Sequence, residues 1–359
     1  MPLSAQPRRG THNLCHRSEE WGALIQKITR RGVIAAAGPL IARPALAQAA
    51  PIVMKIGTAT INDSQHQWMR LFAETVQARS NGAIKVELYP TSQLGSIPRM
   101  IEGTQFNSIQ AFVGPPEFLS GVDSRFELLG APGVFTDISH AHRAMHVPEF
   151  HRAFLDIGLG KGLRGIGLFI NAPTCFNTRN RIDRLADFEG RKIRVLASPV
   201  QTEQLRRLKA TAVPMSLGEV LPALQQGTID GVMSAMPVLT ALRFYDAAKF
   251  LVETNQAAVT VVTVVSKIWY DGLPPALRTV VDEAGRKADD DVFPWALDFI
   301  AQQRKVWTEA GGTITSLPPE DQARLVELMR PIGQEVTARR RDQATLYEAM
   351  LRAAAATRG

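Results

Sequence analysis

Apolar and polar positions change period repeatedly along this chain, and the changes alternate strand with helix. Ile52 to Thr58 is a strand rich in β-branched residues, and Gln67 to Arg79 carries Met69, Phe72 and Val76 at helical spacing. Asn81-Gly82 then signals a turn into Ile84 to Tyr89, a second strand with alternating faces. That is one βαβ unit. A helix is predicted from about Ile97 to Phe106, leading through Asn107 into a strand over Ile109 to Val113. Asparagine tolerates the left-handed conformation that closes a helix. Phe126 to Phe135 reads as a connection, His140 to Gly158 as mostly helical and Leu163 to Ile170 as a strand. Helices dominate after Pro274 and give way to Arg339-Arg340-Arg341 and a polar tail.

The middle of the chain carries the densest pattern. Lys192-Ile193-Arg194-Val195 is a short strand, and Ala212-Val213-Pro214-Met215 is another after an intervening helix. Glu219 to Gln226 is an amphipathic helix stopped by Gly227, and a third strand follows Asp230-Gly231. This is half of an open α/β sheet, whose ligands bind outside the carboxyl ends of the strands. Arg194 stands at such an end, where a guanidinium fork suits a carboxylate. On residue type alone the favoured reading is a surface arginine at a strand end paired with an acid.

The order K-I-R-V, V-P-M and E-V-x-x-A-L-Q-Q-G-T-I-D-G resembles the DctP-like extracytoplasmic solute-binding proteins of TRAP (tripartite ATP-independent periplasmic) transporters. Phe72-Ala73-Glu74, Ser80-Asn81-Gly82, Tyr89-Pro90, Ser92-Gln93-Leu94-Gly95, Ala131-Pro132-Gly133-Val134-Phe135 and Lys267-Ile268-Trp269 with Leu273-Pro274-Pro275 stand where that family has similar segments. The resemblance runs from about Lys55 into the C-terminal helices. It implies an α/β, two-lobed periplasmic-binding-protein fold with hinge-connected open sheets and C-terminal helices. Lobe I is expected over 48–171 plus 260–300 and lobe II over 172–259 plus 301–359, so neither lobe is contiguous.

The resemblance also implies a site. The arginine of K-I-R-V, here Arg194, grips the ligand carboxylate. Ser234 stands where many members have a longer polar residue, and Thr174 where some sialic-acid-binding members have a second arginine. Members that hold 2-oxo acids through a metal have Glu-Trp where this chain has Met233-Ser234. Sialic acid and a metal-bridged ligand are therefore both disfavoured, and no metal or other cofactor is expected. Ser64, Gln65 and Gly114 are expected on the opposite wall, each also readable as a loop residue without ligand contact. Met215, Leu217 and Met236 would supply shape.

Residues 1 to 47 read as a cleaved export signal. Arg30-Arg31 precedes an eleven-residue apolar run, Gly32 to Ala42, and Ala45-Leu46-Ala47 offers the small residues of a cleavage site near Ala47. The paired arginines resemble a twin-arginine signal, and the run is short of the roughly 20 residues that span a bilayer. This segment also distorts the charge. The chain holds 41 Lys+Arg against 34 Asp+Glu, but without residues 1 to 47 the balance is 34 against 32, a net of +2. That removes the electrostatic argument for a nucleic-acid partner. Cys15 would leave with the signal, so Cys175 has no disulfide partner and reads as a small buried hydrophobe.

Enzyme readings find little support. Gly160-Lys161-Gly162-Leu163-Arg164-Gly165 spells a dinucleotide loop but follows a helix and precedes a strand, the wrong order for phosphate. His140, His142 and His146 sit on one predicted helix and read as a solvated face. Glu219 and Asp230 read as a helix-start charge and a turn residue. The expectation is a monomeric periplasmic receptor, not an enzyme, that binds a small organic anion between two lobes and delivers it to integral membrane permease subunits. The alternative keeps the fold: a periplasmic sensor presenting its bound form to a membrane signalling receptor.

Overall fold

A computed structural model describes residues 50–338 and 340–359. The expected export signal, its Arg30-Arg31 pair, the cleavage point near Ala47 and Cys15 lie outside the described residues. The chain opens with β1 (Ile52–Gly57), α1 (Ser64–Arg79) and β2 (Ile84–Tyr89), followed by α2 (Ile97–Gln105) and β3 (Ala111–Gly114). Then come α3 (Ile138–Met145), α4 (Pro148–Leu155), the long β4 (Leu163–Thr178), β5 (Lys192–Val195), α5 (Pro199–Arg207) and β6 (Thr211–Pro214). The remainder is α6 (Leu217–Gln226), β7 (Gly231–Ala235), α7 (Met236–Ala241), the long β8 (Phe250–Ser266), α8 (Lys267–Gly272), α9 (Pro275–Glu309), β9 (Thr313–Ser316), α10 (Pro319–Met329), α11 (Ile332–Thr337) and α12 (Arg341–Ala356).

The strands form one sheet in the order β2-β1-β3-β8-β4-β7-β5-β6, with β9 also paired to β8. Two parallel groups are joined through the antiparallel pair β4 and β8, 16 and 17 residues long. One end of that pair meets β3, through Gly114↔Val262; the other meets β7, through Thr174↔Ala235. Val259-Thr260-Val261-Val262-Thr263-Val264-Val265 is β-branched throughout, which fits a strand paired on both sides.

β4 runs past Ile170, where periodicity suggested it would end, to Thr178. Asn171-Ala172-Pro173 looks like a stop signal because proline donates no ladder hydrogen bond. The structure accommodates it with a bulge, the position where strand prolines are tolerated. Between Pro173↔Ala258 and Cys175↔Glu253, β4 advances two residues and β8 five, and Asn255 takes φ 49° there. The pair therefore bends at the crossing between the lobes.

Local chemistry explains several boundaries. α1 starts at Ser64, three residues before the predicted Gln67, because the Asp63 carboxylate caps it by accepting from the Gln65 and His66 amides at 3.1 Å. Asn107 closes α2 at φ 64° and Gly227 closes α6 at φ 73°. Glu219 completes a capping box, accepting the Ser216 amide at 3.0 Å, and Asp230 accepts the Lys192 amide at 2.8 Å. Both acids thus serve the backbone.

Three apolar clusters hold the sheet. One packs Trp68, Phe72 and Phe169 in a stack beneath α1 and α9, with ring centroids 5.0 and 5.7 Å apart. A second gathers Phe176, Phe188, Ile193 and Met329, and the largest includes Phe112, Ile170, Val232 and Trp307. The 35-residue α9 contributes Val281 and Val292 to the first and Trp307 to the largest, so a boundary between residues 300 and 301 falls inside a continuous helix.

The solvated face expected for His140, His142 and His146 does not form. His140 is fully buried, its Nε2 donating to the Ala354 carbonyl of α12 at 2.8 Å. His142 stacks on Phe293 of α9 with centroids 3.9 Å apart, and His146 stacks on His151. Burial, with His146 nearby, lowers both His142 and His151 to about 4. The helical spacing was read correctly, but α9 and α12 cover it from far along the chain.

Candidate functional site

The carboxyl ends of β1, β3, β5 and β7 and the bent middle of the β4–β8 pair converge on one cleft enclosing ≈690 Å³, open mouth included. Ala59, Thr60 and Gln65 enter from the β1 side, and Gly114 and Pro115 from β3. Arg194 and Leu196 enter from β5, Met233 and Ser234 from β7, and Asn171, Thr174 and Ala257 from the crossing. A ligand there would touch both parallel groups at once.

Arg194 is 1% exposed, which makes it one of the largest fully buried side chains. Its Nε donates to the Met215 carbonyl at 3.0 Å, while Nη2 is buried without a partner among the described residues. Its guanidinium carbon lies 6.0 Å from the centre of the Phe118 ring. Burial lowers its pKa to about 10, with Glu219 acting in the opposite direction. It is cationic at neutral pH. A buried cation with a bare donor is costly unless an anion completes it, so the arrangement can bind a carboxylate.

The β1 side is a polar network. Asp63 accepts from Thr60 Oγ1 at 2.9 Å, Gln65 Nε2 at 3.2 Å and Asn171 Nδ2 at 3.4 Å. Burial raises it to about 6, against the opposing pull of those bonds and the His66 amide. Gln65 Oε1 accepts from Thr58 Oγ1 at 3.1 Å, so its amide is held from both ends. On the β5 side, Gln201 Oε1 accepts the Leu196 amide at 2.8 Å and Gln204 Nε2 donates to the Gly130 carbonyl at 3.2 Å.

Of the residues singled out from sequence, Arg194, Ser234, Thr174, Gln65, Gly114 and Leu217 line this cleft. Ser64, Met215 and Met236 are not among its lining residues. Ser64 turns its hydroxyl to the Asn171 carbonyl at 3.4 Å, and Met215 contributes its backbone oxygen to Arg194. Sequence reasoning missed Asn171, Glu117, Gln201 and Gln204. Gln201 and Gln204 share one face of α5 at i, i+3, a signal present but unremarkable in a polar helix. Asn171 fell where β4 was expected to stop, and Glu117 lies three residues past Gly114.

A bent sheet with two long shared strands, and a cleft between its halves holding a buried guanidinium, defines the class of two-lobed solute receptors. The bacterial extracellular solute-binding protein family 7 model matches residues 57–340, and the chain belongs to that family. It is 30% identical over 277 residues to the 2,3-diketo-L-gulonate-binding periplasmic protein YiaO of Escherichia coli, covering 76% of this chain and 77% of that one. It is 27% identical to the C4-dicarboxylate-binding periplasmic protein DctP of Rhodobacter capsulatus, covering 82% and 89%. A solved TRAP periplasmic solute-binding protein from Desulfovibrio salexigens, with bound orotic acid, superposes with a TM-score of 0.81 at 25% identity, covering 85% of this chain and 99% of that one. Among the described residues no helix is long and apolar enough to cross a membrane.

Proposed function

We propose that this protein is the extracytoplasmic receptor of a TRAP transporter: it closes on a small organic acid, grips the carboxylate with Arg194 and hands the acid to the membrane permease. The observation that carries this reading is the buried Arg194 with Nη2 unpartnered among the described residues. Relatives named for binding a diketogulonate and C4-dicarboxylates, and a neighbour holding orotic acid, support an acidic ligand. Ser234 and Thr174 supply hydrogen bonds from one side, Gln65 and Gly114 the opposite wall.

The reading extends to the rest of the protein. Residues 1 to 47 direct export to the periplasm by the twin-arginine route and are removed near Ala47. The receptor works as a monomer, makes and breaks no bond, and takes no nucleic acid. Residues 48–171 with 260–300 move as one lobe against 172–259 with 301–359, bending where β4 and β8 cross.

The test is thermal unfolding of the protein, stripped of ligand by unfolding and refolding, against organic acids and the amides of the same skeletons. Binding to the folded state stabilises it by about 2.7 kcal/mol at a hundredfold excess over Kd. An acid that raises the midpoint while its amide does not supports the reading, and Arg194→Ala should then weaken that acid by about 2–5 kcal/mol. Affinity unchanged within about twofold in Arg194→Ala overturns it.

A further inference from the structure

Among the described residues four carboxyl groups are buried, and three are occupied. Asp63 accepts from Thr60, Gln65 and Asn171; Asp289 accepts from Trp68 Nε1 at 2.6 Å and the Leu168 amide at 2.8 Å. Glu127 accepts from Ser198 Oγ at 3.2 Å and Gln343 Nε2 at 3.2 Å. Glu117 differs. It lies in the short turn Pro116–Leu119 just beyond β3, is 2% exposed and lines the same cleft as Arg194, and its Oε2 is buried without a partner among the described residues. Gly130 makes room for it, since a Cβ there would sit 2.8 Å from Glu117 Oε1.

We propose that Glu117 is the second polar anchor of the cleft, donating the hydrogen bond of a neutral carboxyl group to an acceptor oxygen that the bound acid carries away from its carboxylate. The inference rests on the carboxylate reading of Arg194. A buried polar atom left unmet is costly, and one on a residue that lines a cleft can be met by a ligand. Apolar side chains at Ile97, Phe112, Phe118, Leu196, Leu217 and Val238 share the lining of this cleft with the polar groups described above. The charged group acting on Glu117 is Glu127 on the following turn, and Arg194 on β5 lines the same cleft. Burial first and Glu127 second raise Glu117 to about 8, against its own backbone amide. A carboxylate bound at Arg194 adds negative charge to the same low-dielectric space and disfavours ionisation further. The ligand class is therefore a monocarboxylate with one remote carbonyl or hydroxyl oxygen.

The experiment measures Kd by calorimetry, on the full chain, for hexanoate, its 2-oxo, 4-oxo and 5-oxo derivatives, and 6-aminohexanoate. At least one oxo acid should bind about tenfold or more tighter than hexanoate, the worth of one good hydrogen bond. That preference should persist in Glu117→Gln, which keeps an N–H donor, and vanish in Glu117→Leu. In the native protein it should fade as pH rises past about 8, and in Glu117→Gln it should not. Equal binding of hexanoate and every oxo acid by the native protein, a preference surviving Glu117→Leu, or tightest binding of the amino acid each overturns the proposal while leaving Arg194 its role. Failure of all these acids to bind counts against the carboxylate reading itself, and this proposal falls with it.

Discussion

Arg194 Nε donates to the main-chain oxygen of Met215 at 3.0 Å, tying the end of β5 to the residue just after β6. One edge of the guanidinium is spent on the protein's own backbone, and the planar group is thereby fixed with Nη2 left bare. The geometry turns a flexible side chain into a pre-set fork.

Arg194→Lys should fail although it keeps the charge. An ammonium cannot hold the Met215 carbonyl and present a planar pair of donors at once. Affinity for whichever acid binds the native protein is expected to fall about tenfold to a hundredfold, or roughly 1.4–2.8 kcal/mol. Calorimetry on the two proteins checks this, and equal affinities would mean that charge alone governs the site.

Asp289 should leave a signature in the pH dependence of stability. Burial holds it at about 8, from an ordinary value of 3.8, although the Trp68 and Leu168 donors pull the other way. The folded state thus keeps a proton that the unfolded chain releases. Stability from this group is fully present below about pH 4 and is lost as pH rises toward 8, at about 1.36 kcal/mol per pH unit, then levels off. Urea unfolding of native protein and Asp289→Asn from pH 5 to 9 should show the native protein losing ground to the variant up to about 8 and no further. A flat difference would place an ionised carboxylate in the core.

Cys175 should be chemically silent. It is 3% exposed, and burial first, with Glu253 adding to it, pushes its thiol well above the ordinary range. A thiol reagent at pH 8, followed by peptide mass spectrometry, should leave the Cys175 peptide unmodified in the folded chain and modify it in denaturant. Fast labelling of the folded chain would reveal an opening at the β4–β7 pairing.

Much of the local structure was legible because its causes are local. The first βαβ unit, the left-handed Asn107, the glycine stop at 227 and the roles of Glu219 and Asp230 follow from periodicity and backbone chemistry within a few residues. Arg194 was legible too, as the motif arginine at a strand end. The continuation of β4 through Pro173 was not, since a strand proline is tolerable only if its partner bulges, and that partner lies more than seventy residues away in β8. The histidines of α3 looked solvated because nothing nearby in sequence announces that α9 and α12 will cover them.

The sequence by itself determined the succession of elements, the family to which the chain belongs and the place of Arg194 at the end of a strand. Tertiary structure alone decided that Met215 serves through its backbone and that Ser64 turns to Asn171. It alone brought Gln201, Gln204 and the unmatched Glu117 to the cleft that Arg194 enters. The reason is physical: propensity and capping act over a turn or two of chain, whereas burial and the satisfaction of a polar atom depend on neighbours that only folding brings together.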